Sequence, residues 1–324
     1  MRQISFSEAT LEAMSEEMER DERVFVMGED IARQGGIFGQ FKGLPQKFGI
    51  DRVRDTPISE TAIVGAAVGA ALAGMRPVAD MHFADFIGVC MDEVFNQMAK
   101  VRYMFGAQCK VPLVLRAPDG MIRSAAAQHS QCVESWFMHI PGIKVVIPSN
   151  PADAKGLLKA AIRSDDPVLY FEHKGLFPLK GPVPDGEHIV PIGKANVART
   201  GKDVTIVSYS MMMNRVLEAH EKLAAEGIQA ECIDLRTISP LDKDTVFESV
   251  RKTKRLVIVH EAVKQGGVGA ELAACVAEEM IDWLDAPVKR LGAPFVPIPF
   301  SPALEGLCRI STDDIVKTAK EICR

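Results

Sequence analysis

Residues 144–172 read KVVIPSNPADAKGLLKAAIRSDDPVLYFE, and the order of signals within them decides the fold. Lys144 to Ile147 is a short run rich in β-branched residues, the composition of a buried strand. Asn150 can then cap a helix, and Pro151 suits a first helical position because no amide hydrogen is needed there. That helix is predicted to run to about Ser164. Pro167 to Glu172 is a second apolar run. A strand, a helix and a strand in this order indicate parallel pairing in a sheet covered on both faces.

The same alternation extends in both directions. Upstream, Ser7 is placed to cap a helix with Leu11, Met14 and Met18 on one face. Val24–Met27 reads as a strand ending in the polar loop Gly28-Glu29-Asp30. Ser59 precedes a helix with Glu60 in its first turn. Gly65, Gly69 and Gly74 stand among its alanines; such residues lower helix propensity, so another backbone is expected to approach closely. A strand over Pro77–Phe83, a long amphipathic helix over about 86–104 and a strand over Val111–Arg116 follow. Residues 33–49 show no clear period. Residues 178–193 hold Pro178, Pro182, Pro184 and Pro191 with Gly181, Gly186 and Gly193, the marks of a linker. Beyond it, strands are predicted at Asp203–Tyr209, Gln229–Leu235, Arg255–His260 and Pro287–Leu291. The expectation is an α/β protein of two doubly wound domains, residues 1–185 and 195–324, joined by a linker at 186–194.

The bulk properties narrow the function classes. The chain has 324 residues, 47% hydrophobic and 25% charged, with a net charge of −5 and no basic run, so nucleic-acid binding is not expected. The apolar run Ala62–Met75 is shorter than the roughly 20 residues that span a bilayer, so it reads as a buried helix and no membrane partner is expected. Met1 to Ser5 lacks the apolar core of a signal peptide. Seven cysteines without a C-x-x-C pair indicate neither a disulfide framework nor a zinc site, which fits the cytoplasm.

Three features carry candidate chemistry. Glu29, Asp30 and Glu60 stand at ends of elements. A carboxylate at the start of an almost wholly apolar helix either shares a proton, its pKa raised by desolvation, or simply complements the helix dipole. His129 lies in Ala126-Ala127-Gln128-His129-Ser130-Gln131, outside any amphipathic pattern; it reads as a proton-transferring group or as a satisfied loop histidine. His82, His139 and His260 lie in or beside apolar segments and read as core histidines. Gln265 to Glu271 holds Gly266, Gly267 and Gly269 between a strand and a helix, a tight turn or an anion site. No Walker sequence, H-E-x-x-H or G-x-S-x-G is present. The residues alone define an α/β protein with a carboxylate–histidine site.

Several blocks taken together resemble a known family. They are Gly28-Glu29-Asp30, Asp55 to Glu60, Ala126 to Gln131, Pro141 to Pro148, Asp153 to Leu157 and Ile233 to Pro240, in this order. They are similar to the β subunit of the thiamine-diphosphate-dependent decarboxylating component of 2-oxo acid dehydrogenase complexes, over almost the whole chain. The resemblance implies a pyrimidine-binding domain followed by a transketolase C-terminal-like domain. It implies that Glu60 hydrogen-bonds N1′ of the cofactor's aminopyrimidine, with Glu29, His82 and Phe86 near that ring, and that His129 faces the substrate and the incoming lipoyl group. His82 departs from the glutamine or methionine associated with its position. Glu29, Glu60 and Asp92 fall where the family has an acidic channel between its two sites. The resemblance further implies a monovalent cation, K⁺, near Leu113, Ala161, Ile162, Ser164 and Asp166, although Ser164 stands where aspartate is expected.

Half of the cofactor site is missing from the chain. Thiamine enzymes hold the diphosphate through Mg²⁺ on a G-D-G motif, whereas Asp-Gly occurs here only as Asp119-Gly120 and Asp185-Gly186, each preceded by proline. The resemblance therefore implies an α subunit that carries Mg²⁺, in a heterotetramer of two α and two β chains, and a lipoyl-bearing acyltransferase core as second partner. Phe86–Gln97 and Arg102–Gly106 look closest to acetoin dehydrogenases. Pyruvate and branched-chain 2-oxo acid dehydrogenases remain alternatives, as does a nicotinamide-binding oxidoreductase using the Gly266–Gly269 turn.

Overall fold

The computed structural model describes residues 1–324. The chain folds as two compact bodies, Met1–Asp119 with Trp136–Ile192, and Gly120–Ser135 with Gly193–Arg324. Residues 120–135, which the sequence placed in the first domain, pack with the second body.

The first body is built on β2 (Val24–Gly28), β3 (Val53–Asp55), β4 (Arg76–Asp80), β5 (Val114–Asp119), β6 (Lys144–Val146) and β7 (Val168–His173), with β1 being Arg2–Ser5. The order across the sheet is β6-β7-β5-β4-β2-β3, all parallel. Strands buried on both faces account for the nearly continuous apolar runs seen in the sequence. The quoted stretch behaves as read. Asn150 Oδ1 accepts from the Asp153 amide at 2.9 Å, Pro151 opens the helix Pro151–Arg163, and β6 pairs with β7 in parallel. This helix packs against Phe6–Arg20, which is capped by Ser5 rather than Ser7 because Glu8 completes a reciprocal capping box with Ser5. Met14, Met18, Val26, Val78, Leu157, Leu158 and Tyr170 form the core between these helices and the sheet.

Three expectations change. Part of the proline-rich stretch is ordered as β8 (Lys180–Val183), antiparallel to β1; Pro182 is tolerated in such a two-stranded edge. The helix expected over 86–104 is broken into a 3₁₀ turn (Ala84–Cys90), a π-helical segment (Glu93–Met98) and an α-helical turn (Ala99–Met104), so no single 3.6-residue period runs through it. The helix Glu60–Leu72 is not wholly buried. Ala62, Ala66, Gly69 and Leu72 face outward, and a Cβ placed on Gly69 would meet nothing within 4 Å. Gly74 is explained instead by its φ of +94°, which the chain needs as it leaves the helix.

The second body holds β9 (Asn196–Arg199), β10 (Val204–Ser208), β11 (Ala230–Asp234), β13 (Leu256–Val263) and β14 (Lys289–Ala293); β12 is Thr237–Ser239. The sheet order is β14-β13-β10-β11-β9, parallel except for β9 at one edge. Helices Ser210–Ala225 and Thr312–Cys323 bury Met212, Val216, Leu223, Ile315 and Ile322 against it.

Candidate active site

In the first body the parallel register brings several strand ends to one edge. Gly28 of β2 lies opposite Asp55 of β3 and Asp80 of β4, and Asp80 lies opposite Arg116 of β5. Ligands of open α/β sheets bind outside this carboxyl edge. Glu29 follows β2 directly, and His82 lies just beyond β4. The Glu29 carbonyl is 2.9 Å from His82 Nε2, which places the ring proton there, and His82 Nδ1 is 3.5 Å from Glu29 Oε2. Burial pushes the Glu29 carboxyl upward; His82 opposes the shift, while Glu60 and Asp30 add to it. Glu29 and Glu60 therefore sense one another. The loop is fixed by Asp55, whose carboxylate accepts from the amides of Ala32 at 2.6 Å and Arg33 at 3.3 Å, and Asp30 takes a left-handed φ of 55°.

Glu60 is half-buried in the first turn of its helix and makes no hydrogen bond or ion pair within the chain. Its carboxylate is thus free to accept a ligand's N–H. Phe86 packs edge-on to Phe83 at 5.5 Å, and Phe83 meets Phe38 at 5.9 Å, forming an aromatic wall on the same segment as His82. Carboxylates and aromatics in this grouping fit a flat, nitrogen-bearing ring. Asp92 is exposed and hydrogen-bonded to Asn96.

Beneath Glu29 lies a feature that the sequence reading missed. Asp80, Arg116 and Glu172 form a fully buried row across β4, β5 and β7. Arg116 forks onto Glu172 through Nε and Nη2, donates to Thr10 Oγ1 at 3.0 Å and lies over the Phe41 ring. Neither carboxyl oxygen of Asp80 makes a hydrogen bond of ordinary geometry, although the Gln40 side chain lies near enough to favour the charged form. Burial drives its pKa up to about 8, against the pull of Arg116 and with the help of Glu172. Gly28 makes room for it, since a Cβ there would stand 2.9 Å from Asp80 Cβ. A strand-end charge read one at a time resembles a polar turn; Arg116 stands opposite Tyr170 and reaches Glu172 diagonally, so the grouping appears only in the folded sheet.

The positions associated with a cation also cluster. The carbonyls of Ile162 and Ser164 accept from Arg76 at 3.0 and 3.1 Å, that of Leu113 from the Val168 amide, and that of Ala161 from the Ser164 amide. Asp166 pairs with Arg102 and Lys144. A cation there would share the Ile162 and Ser164 carbonyls with Arg76, and Asp166 with Arg102 and Lys144.

His129 belongs to the second body, half-buried on the loop that follows Gly120. The Gly266–Gly269 turn links β13 to the helix Val268–Met280. Its glycines accommodate His260, which is fully buried; a Cβ on Gly267 would approach the ring to 2.6 Å, and burial lowers the His260 pKa to about 4. His260 is thus a core histidine, as its surroundings in the sequence indicated.

The two sheets and the carboxylate-lined edge define a transketolase-type protein. Residues 2–180 match the family described as transketolase, pyrimidine binding domain, and residues 193–315 match transketolase, C-terminal domain. Within that class, the chain belongs to the family of β subunits of thiamine-diphosphate-dependent dehydrogenases. It is 50% identical to the acetoin:2,6-dichlorophenolindophenol oxidoreductase subunit beta of Cupriavidus necator, over 99% of this chain and 97% of that one. It is 47% identical to the Bacillus subtilis protein of the same name, again over 99% and 97%. To the 2-oxoisovalerate dehydrogenase subunit beta of Bacillus subtilis it is 45% identical, over 99% of both chains. Among solved structures, a split gene transketolase described as an inactive beta4 tetramer superposes with a TM-score of 0.82 at 24% identity, covering 99% of this chain and 98% of that one. No helix is long and apolar enough to cross a membrane.

Proposed function

We propose that this chain is the β subunit of an acetoin-cleaving dehydrogenase, working in the cytoplasm with an α subunit as two α and two β chains. The observation that supports this most is the grouping of Glu29, His82 and Glu60 on the carboxyl edge of a pyrimidine-binding sheet. Glu60 would accept a hydrogen bond from the aminopyrimidine, and Phe86 and His82 would flank the ring. Bound there, thiamine diphosphate supplies an electron sink for cleaving the bond beside a carbonyl. Its Mg²⁺ falls to the α subunit, because this chain lacks the motif for it. Around the positions associated with K⁺, Arg76 already occupies the Ile162 carbonyl and Lys144 pairs with Asp166, while the Leu113 and Ala161 carbonyls accept from main-chain amides.

Cleaving acetoin releases acetaldehyde and leaves a two-carbon unit at the aldehyde level. Oxidising that unit to acetyl provides two electrons, which break the lipoyl disulfide; one sulfur takes the acetyl group and the other takes a proton. A dye accepts the same two electrons, with water releasing acetate. His129 is assigned the proton delivered to the leaving sulfur, a step that an imidazole ring nitrogen can perform as a general acid.

The test is co-expression with the α subunit and measurement of kcat/KM for acetoin, pyruvate and 3-methyl-2-oxobutanoate with dichlorophenolindophenol as acceptor. Acetoin is expected to be the best substrate. A higher value for either 2-oxo acid would overturn the substrate assignment.

A further inference from the structure

The loop carrying His129 has a stretch with no polar side chain and a strained backbone. Residues 125–127 are alanines, and Ser124 and Ala126 hold left-handed φ values of 61° and 60° that such residues rarely adopt. What holds it is a pair of carboxylates from elsewhere in the second body. Glu261, on β13, accepts from the Met121 amide at 2.5 Å, and Cys132 Sγ lies 3.9 Å from the same oxygen, so one carboxylate grips both ends of the loop. Glu305, only 2% exposed, accepts from the Ser124 amide at 2.9 Å. Arg309 pairs with the other oxygen of Glu305 and donates to the Met121 carbonyl at 3.2 Å. The Gly120 amide donates to the Gln131 carbonyl at 3.3 Å and closes the base.

We propose that Glu305, braced by Arg309 and seconded by Glu261, is a positioning residue that fixes the strained 121–132 loop so that His129 is aimed at its proton acceptor. This rests on the role of His129 proposed above. The charge matters as well as the shape. A carboxylate bonded to a main-chain amide and a guanidinium makes stronger, shorter bonds than a neutral amide would. The left-handed backbone at Ser124 and Ala126 relaxes unless its surroundings oppose it. Once the loop relaxes, a proton donor displaced by about an ångström loses much of its rate advantage.

The test is a double-mutant cycle in the assembled α–β enzyme, comparing Glu305→Gln, His129→Ala and the pair. Two rates are read for each: acetylation of a lipoyl domain, and dye reduction, which needs no proton on a leaving sulfur. Glu305→Gln is expected to lower lipoyl acetylation by about tenfold and to lower dye reduction distinctly less. In the His129→Ala background the same change should cost no more than about twofold, because interacting residues are non-additive. Arg309→Met, at a partly exposed position, gives a milder version of the loss if Glu305→Gln assembles poorly. Equal losses in both rates, or the same loss with and without His129, would overturn the positioning role. If His129→Ala alone lowers both rates equally, the fault lies with the His129 assignment. If His129→Ala is selective and Glu305→Gln has no effect, the fault lies with the clamp.

Discussion

Replacing Asp80 with asparagine should stabilise the protein, and increasingly so as the pH rises. Asp80 is fully buried, makes no hydrogen bond of ordinary geometry through either oxygen, and is pushed by burial to a pKa of about 8 from 3.8, against Arg116 and Gln40. A carboxyl whose folded pKa is raised binds its proton more tightly in the native state. Its contribution is therefore complete below the unfolded value and is lost as the pH climbs from about 4 to about 8. Each pH unit in that window costs about 1.4 kcal/mol, so this one group removes on the order of 5 kcal/mol by pH 8. Movement of Arg116 and entry of water would reduce the figure, and we expect at least about 2 kcal/mol to remain at pH 8. Asparagine keeps the shape and has nothing to ionise. At about 2–4 °C per kcal/mol, the variant should melt about 4–8 °C above wild type at pH 8, with the gap narrowing towards pH 5. Thermal melts of the two proteins run in parallel across this range would decide. An unchanged pH slope, or a variant less stable at pH 8, would refute the reasoning.

Other outcomes follow from the same geometry. Glu60→Gln should leave assembly with the α subunit intact and reduce acetoin turnover by about 10²–10⁴-fold, since one positioned proton relay is removed; retention of a tenth of the rate would contradict the role. Gly142→Ala should unfold the first body or cost more than about 4 kcal/mol, because its φ is +101° and the added Cβ would lie 2.1 Å from the Ala99 carbonyl oxygen. Soluble yield and melting temperature will report it. The isolated chain should show no turnover and no tight Mg²⁺-dependent binding of thiamine diphosphate by calorimetry, because the motif for the metal is absent from the sequence.

The alternation of parallel strands and helices was legible because central strands carry uninterrupted apolar runs; β2, β7, β10 and β13 were all anticipated. The β1–β8 pairing was not, since it joins residues near opposite ends of the first body, and a proline-rich strand has no periodic signal. The segment after His82 defeated a single-period reading because its helical geometry changes twice along its length. Glu29 and Glu60 stood out as carboxylates at ends of elements, whereas His82 and Phe86 were named for the site only through the family resemblance. Their support was not legible: the Asp80–Arg116–Glu172 grouping appears only in the folded sheet, and the grip of Glu261 and Glu305 on the His129 loop spans well over a hundred positions of sequence.

The ties on the His129 loop run mainly to its main chain, at the amides of Met121 and Ser124 and the carbonyl of Met121. The alanines at 125–127 carry none of these ties. At those three positions the loop can be rewritten for a different acyl donor without removing these main-chain ties. A substrate-range library at Ala125, Ala127 and Gln128 would keep the scaffold constant, and at Ser124 and Ala126 glycine and asparagine, which tolerate left-handed backbone, are the natural choices.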